Sequence, residues 1–105
     1  MNEGMIKEIK LQKSITLLLK RAQGDSGGSK KCAMFLLSLW NGDDFKADLQ
    51  ELLYNDAEIF YSMISIFEYL YKSNNQLDCL VTQADINPII TLWGKSLMQN
   101  QDETE

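Results

Sequence analysis

No histidine occurs among the 105 residues. Its absence excludes Ser-His-Asp and Cys-His activation of a nucleophile, imidazole ligation of metals and the usual proton shuttle near neutral pH. Two cysteines, Cys32 and Cys79, are too few for a four-ligand zinc site that has no histidine to complete it. No metal and no cofactor are expected, and no enzymatic activity. One disulfide between the two thiols is conceivable, but isolated cysteines without a secretory signal read better as small apolar fillers in a reducing cytoplasm, the expected location. Long apolar runs are also lacking. The most compact, Ile15 to Leu19, is interrupted by Thr16, and Glu3 and Glu8 lie among the lysines of the N-terminus. Neither a signal peptide nor a membrane span is expected.

Proline is nearly absent, with Pro88 alone, and no long stretch alternates apolar with polar residues. Strands are therefore poorly supported and helices favoured throughout. With 45% apolar and 10% aromatic residues the composition is that of one globular domain. Charge is uneven. Residues 1–31 carry seven basic side chains against three acidic ones, a balance of +4, whereas residues 32–105 carry three against twelve, a balance of -9. A basic end and a larger acidic body follow, and the acidic whole lacks the usual footprint of a nucleic-acid binder.

Helical periodicity is clearest from Leu11 to Ala22, where Leu11, Ile15, Leu18, Leu19 and Ala22 share one face. Residues 1–10 carry Met5, Ile6 and Ile9 on a different face, so they read as a flexible or bent N-terminal arm. Gly24-Asp25-Ser26-Gly27-Gly28-Ser29 breaks the chain and offers Ser26 as N-cap of a second helix. From Lys30 to Trp40 that helix is apolar nearly all round, apart from a strip at Lys31, Met34 and Ser38, and belongs in the centre of the fold. Trp40, on the arc of Leu36, is expected to be buried against Phe67, Leu70 and Trp93. A short helical piece follows around Ala47 to Leu53. Asn55 and Glu58 have capping-box spacing. The longest helix comes next, with Ile59, Phe60, Met63, Ile64, Ile66, Phe67, Leu70 and Tyr71 on one broad apolar face and Ser62 opposite. Residues 77–84 are ambiguous. Asn87-Pro88 then reads as a cap and first turn, opening a closing helix with Ile89, Ile90, Trp93 and Leu97 on one face. Residues 11–98 form one domain, an all-α, compact orthogonal bundle of four to five helices, and residues 99–105 an acidic tail that frays.

Two groups of residues are candidates for function. Ser26, Gly27, Gly28, Ser29, Lys30 and Lys31 would present backbone N–H groups and positive charge at a helix N-terminus, as an anion site does. The alternative is a plain cap and turn. A Walker A loop is rejected, because Ser29 stands where glycine is needed and a helix precedes the turn. The second group is a partner surface built from Asp43, Asp44, Asp48, Glu51, Tyr54, Tyr61, Glu68 and Tyr69, tyrosines among carboxylates. A divalent-cation site in Asp43, Asp44, Asp48 and Glu51 does not match the calcium-loop spacing.

The Gly24-Asp25-Ser26-Gly27 turn, the pair Lys30-Lys31, the run Phe35-Leu36-Leu37 and then Trp40-Asn41 resemble an uncharacterised family of small proteobacterial proteins, a domain of unknown function associated with mobile elements. Phe45, Asp48-Leu49 and Trp93 extend the resemblance over residues 15–94. Ser26 in place of threonine, Leu39 where tryptophan is frequent, and a short loop at 42–44 are departures. The resemblance implies a bacterial cytoplasmic protein and assigns no activity, cofactor or site residue. Three functions are then in competition. The first is a non-enzymatic interaction module of a mobile element with an unidentified protein partner, self-association into a homo-oligomer remaining open. The second is an inhibitor of a bacterial defence nuclease complex, anti-CRISPR-like or a nucleic-acid mimic, acting through the acidic face. The third, a nucleic-acid-binding accessory protein using the basic first helix, is disfavoured because the helix after the turn has little polar surface for a groove.

Overall fold

The computed structural model describes residues 3–98. Helix α1 (Glu3–Ala22) turns its periodic face inward, burying Ile15, Leu18 and Ala22. Its helical backbone begins at Glu3, so residues 3–10, the larger part of the expected arm, continue α1 without interruption. Residues 1–2, and the expected tail at 99–105, lie outside the described residues.

The glycine-rich turn reverses the chain into α2 (Gly27–Trp40), whose first turn is capped as expected: the Ser26 hydroxyl accepts from the Ser29 N–H at 3.1 Å. Cys32, Ala33, Phe35, Leu36 and Leu37 are buried at the centre of the molecule. Met34, expected on the open strip, is buried too. The loop after α2 folds back over it, and the Asp48 N–H points at its sulfur at 3.4 Å. Trp40 corrects the expectation of full burial. It is the last residue of α2, where the helix leaves the core, and it is half-buried against the core rim.

Helix α3 (Leu49–Leu52) is a single turn capped by the Asp48 carboxylate, which accepts from the Gln50 and Glu51 N–H groups. Helix α4 (Ala57–Ser73) starts from Asp56, and the capping box expected of Asn55 does not form. The Asn55 amide is engaged elsewhere, donating to the Leu52 carbonyl at 3.1 Å and closing α3. Asn74, in the left-handed region at φ 56°, ends α4. A 3-10 turn, Leu77–Cys79, buries Leu77 and leaves Cys79 exposed, against the expectation of an apolar setting for that thiol.

The closing helix begins earlier than Asn87-Pro88. Thr82 and Asp85 form the reciprocal capping box, with Asp85 N–H to Thr82 Oγ1 at 3.2 Å and Thr82 N–H to Asp85 Oδ2 at 2.9 Å. Two satisfied N–H groups at Thr82 outcompete one asparagine cap. Pro88 thus lies inside α5 (Gln83–Ile89), and Asn87 accepts from Gln83 instead of capping. A π-helical turn, Ile90–Gly94, leads directly into α6 (Lys95–Leu97). An interrupted ladder of this kind is a usual consequence of a proline in a helix or of a π-turn.

Helix α1 is shared by the packing: it lies along α2 and along α4, and α5 also reaches it. The Trp93 indole N–H donates to the Ala22 carbonyl at 2.8 Å, pinning the closing helix to the end of α1. An isolated antiparallel bridge joins Phe45 to Met98 and brings the loop after α2 onto the end of α6. The architecture is an all-α bundle around a single core, with Leu18, Leu36, Leu37, Ile59, Ile66, Leu77, Ile86 and Ile89 fully enclosed.

Candidate functional site

The sequence of α4 carries more apolar surface than the core accepts. Ile59, Met63, Ile66 and Leu70 are buried, and Ser62 lies with them although its polarity suggested the opposite face. The remaining apolar residues, assigned from the sequence to the same buried face, point elsewhere. Ile64 is 46% exposed, Phe67 57% and Tyr71 86%, and Tyr61 beside them is 65% exposed. The reason is geometric. A helix packed against one neighbour buries an arc of little more than 100°, and the apolar arc of α4 is wider than that. Only α1 packs extensively along α4, so the surplus becomes a stripe.

The stripe borders α2. Phe35 and Phe67 meet with ring centroids 6.3 Å apart and planes at 52°. A groove runs from there along the second half of α4, lined by Leu39, Phe67, Leu70, Tyr71 and Leu77. Charged side chains flank it on α4, where Lys72 and Glu68 pair at 3.4 Å, both well exposed. This is an apolar surface with a charged margin, the composition of a contact face.

The residues singled out in the sequence are placed as follows. In the glycine turn, Ser26 and Ser29 bind each other, Oγ to Oγ at 3.0 Å, and Ser29 is buried. Lys30 is exposed. Lys31 turns away from the turn and donates to the Tyr54 carbonyl, its ammonium 5.8 Å from the centre of the Tyr54 ring. The two serine hydroxyls therefore serve the cap, and the basic pair is divided. Gly27 and Gly28 stand in the first turn of α2.

Two carboxylates of the second group are occupied locally. Asp44 accepts from the Asn41 side-chain amide at 3.1 Å and Asp48 caps α3, whereas for Asp43 it is the backbone N–H that is engaged, donating to Asn41 Oδ1 at 3.2 Å. Glu51 and Tyr54 are exposed at α3 and just after it. Tyr61 and Glu68 flank the apolar stripe of α4, whereas Tyr69 is turned towards α1 and lines a cleft with Glu8, Lys10 and Lys72. The eight residues thus divide among the loop and turn at 43–54 and two sides of α4. Phe67, Ile64 and Tyr71 are the exposed residues that sequence reasoning missed by placing them in the core. Their signal was available in the excess width of the apolar arc.

Of the two thiols, Cys32 is fully buried, and burial pushes it up from about 9.0 to about 11, the nearby Arg21 charge acting weakly in the other direction. Cys79 is exposed and both are free. Among the described residues, no three or more Cys, Asp or Glu side chains gather as a metal set would. Among the same residues, no helix is long and apolar enough to cross a membrane.

Comparison with curated proteins and with solved structures finds no match for this chain. Residues 12–94, the greater part of the chain and nearly the whole helical bundle, match the model of a family of unknown function, DUF7673, and the chain belongs to that family.

Proposed function

We propose that this protein is a non-enzymatic interaction module whose outer α4 surface docks onto another protein. The single observation that carries the reading is the stripe of Ile64, Phe67 and Tyr71, three large apolar side chains left in solvent on a helix whose other face is fully packed. Scattered exposed leucines need no explanation, but aligned aromatic residues on a rigid helix are the usual anchors of interfaces. The bacterial, mobile-element setting of the reading rests on the resemblance carried by the glycine turn, the Phe35-Leu36-Leu37 run and Trp40-Asn41. The acidic-mimic alternative is less well supported, since Asp44 and Asp48 spend their carboxylates on local hydrogen bonds.

A photo-crosslinking side chain placed at Phe67 or at Tyr71 in living cells tests the reading, with the exposed Lys95 position as control. Adducts to protein at the two stripe positions and none at Lys95 are expected. No adducts at either stripe position, or equal adducts at Lys95, would overturn it.

A further inference from the structure

The net charge of the chain, -5, resides in one short stretch. Residues 43–58 hold six carboxylates (Asp43, Asp44, Asp48, Glu51, Asp56 and Glu58) against Lys46, a balance of -5, and the rest of the chain sums to zero. Asp44 is half-buried and the other five are exposed. Hydrogen bonds from the neutral Asn41 amide and from backbone N–H groups leave Asp44 and Asp48 charged. Two cations of other elements reach the stretch: Arg21 stands 3.9 Å from Asp56, and Lys31 donates to the Tyr54 carbonyl. They reduce the imbalance by two, to -3, and do not cancel it.

Within this field lie three large apolar side chains. Leu49 is 73% exposed, Leu53 64% and Tyr54 66%, each more than Phe67 of the α4 stripe. Leu49 and Leu53 are four residues apart and share one side of the α3 turn, which is held to the core through Leu52. The backbone beneath them is fixed. Asp48 caps its start, the Asn55 amide closes its end on the Leu52 carbonyl, and Lys31 holds the Tyr54 carbonyl from α2. A surface ordered in advance binds without the cost of ordering it.

We propose that this α3 face is a second docking surface, and that its occupant is a lysine- or arginine-rich amphipathic segment of another protein. The proposal goes beyond the reading of α4, and the two surfaces share no residue. Charge selects the class of partner. Nucleic acid, anionic lipid and acidic protein are repelled by the field, whereas a cationic segment is drawn in and oriented by it. Apolar contact selects within that class. A purely polybasic strand leaves Leu49, Leu53 and Tyr54 in water, but apolar side chains of an amphipathic segment bury them as the dry centre of an interface whose rim is the carboxylates.

Fluorescence anisotropy of the purified full chain with three labelled helical peptides of equal length tests the proposal. One peptide combines leucine with lysine, one replaces its leucines by serine, and one replaces its lysines by glutamate. The first should bind and the third should not. Because burying two leucines is worth about tenfold or more in affinity, the second peptide should bind that much more weakly, and the joint change Leu49→Ser, Leu53→Ser should cost the first peptide as much. Glu51→Gln with Glu58→Gln should weaken binding at low salt and matter little at about 1 M, where charges are screened within about 3 Å. Leu92→Ser, at an exposed leucine of the π-helical turn, and Asp25→Asn with Asp78→Asn, at exposed carboxylates elsewhere in the chain, are controls that should change nothing. All these positions are exposed, so the melting temperature should stay within a few degrees of the parent and a loss of binding is not a loss of fold. No binding of the leucine–lysine peptide, equal binding of the two lysine peptides, indifference to the leucine changes, or an equal loss in the controls would each overturn the proposal. So would a chain that dimerises through this face, its sedimentation returned to that of a monomer by Leu49→Ser, since the occupant would then be a second copy. Crosslinking at Phe67 and Tyr71 reads the α4 surface separately, and failure here leaves that reading as it stands.

Discussion

Cys32 and Cys79 are chemically the same residue in very different surroundings. The buried Cys32 thiol, held near 11, has almost no thiolate at neutral pH, while Cys79 stands in solvent. Brief alkylation of the native protein should label Cys79 and spare Cys32, as mass spectrometry of the peptides would report. A linked effect follows for stability. The unfolded thiol ionises near its ordinary value of about 9.0 and the folded one only near 11, so the contribution of the neutral thiol is complete below pH 9 and is lost as pH rises through 11. At about 1.4 kcal/mol per pH unit the loss approaches 3 kcal/mol. Denaturant titrations between pH 8 and 11 should show a steeper decline for the parent than for Cys32→Ala, in which this contribution is missing. Parallel slopes would show that the thiol is not shielded. Trp40 illustrates the same dependence on position. The arc shared with Leu36 suggested a core anchor, yet the end of a helix is a poor place to bury an indole, and the core stops one turn earlier.

At the scale of the element, the turn between α1 and α2 has little room. A Cβ on Gly24 would come 2.5 Å from the Ser29 hydroxyl, which is buried and linked to Ser26 at 3.0 Å. The hydroxyl can swing aside only by giving up its hydrogen bond to the Ser26 hydroxyl, while the Ser29 N–H that caps α2 on Ser26 stays in place. Gly24→Ala is therefore expected to cost about 1 kcal/mol, close to the net worth of one hydrogen bond. In a Ser29→Ala background the obstacle is gone, and because alanine restricts the unfolded chain more than glycine does, the same substitution should be neutral or stabilising. A double-mutant cycle by chemical denaturation measures this coupling. Additive costs would mean that Gly24 is required for some other reason. The Ser26 cap was legible in the sequence, whereas Asp48, read there as part of a partner surface, proves to cap α3. Asn55 and Asn87 were misread because each local signal had a competitor nearby. Asn55 is drawn back to the Leu52 carbonyl while α4 starts from Asp56 without a side-chain cap bond, and the Thr82-Asp85 box acts earlier in the chain.

For the whole molecule, the decisive distinction is between apolar residues that hold the fold and apolar residues that face outward. Leu36 is completely enclosed and Tyr71 is 86% exposed. Leu36→Ala should cost about 2 to 5 kcal/mol and lower the melting temperature by ten degrees or more, whereas Tyr71→Ala should stay within about 0.5 kcal/mol of the parent. Trp40→Ala should lie between them. Thermal unfolding followed by circular dichroism ranks the three. A large loss at Tyr71 would show that the stripe belongs to the core after all.

By itself the sequence determined the helical class, most element positions, the glycine turn with its serine cap and the central place of α2. These are consequences of periodicity and of short-range hydrogen bonding, which act over a few residues and are written in the local order of side chains. Only the tertiary structure decided which part of the wide apolar arc of α4 faces the core. Ile59 and Ile66 and their neighbours are buried because α1 lies along that side of the helix, and Ile64, Phe67 and Tyr71 are left largely exposed because α2 only borders the other side, at the Phe35–Phe67 contact. Hydrophobicity is a property of the residue, but burial depends on the presence of a neighbour, and no local pattern specifies where that neighbour will lie.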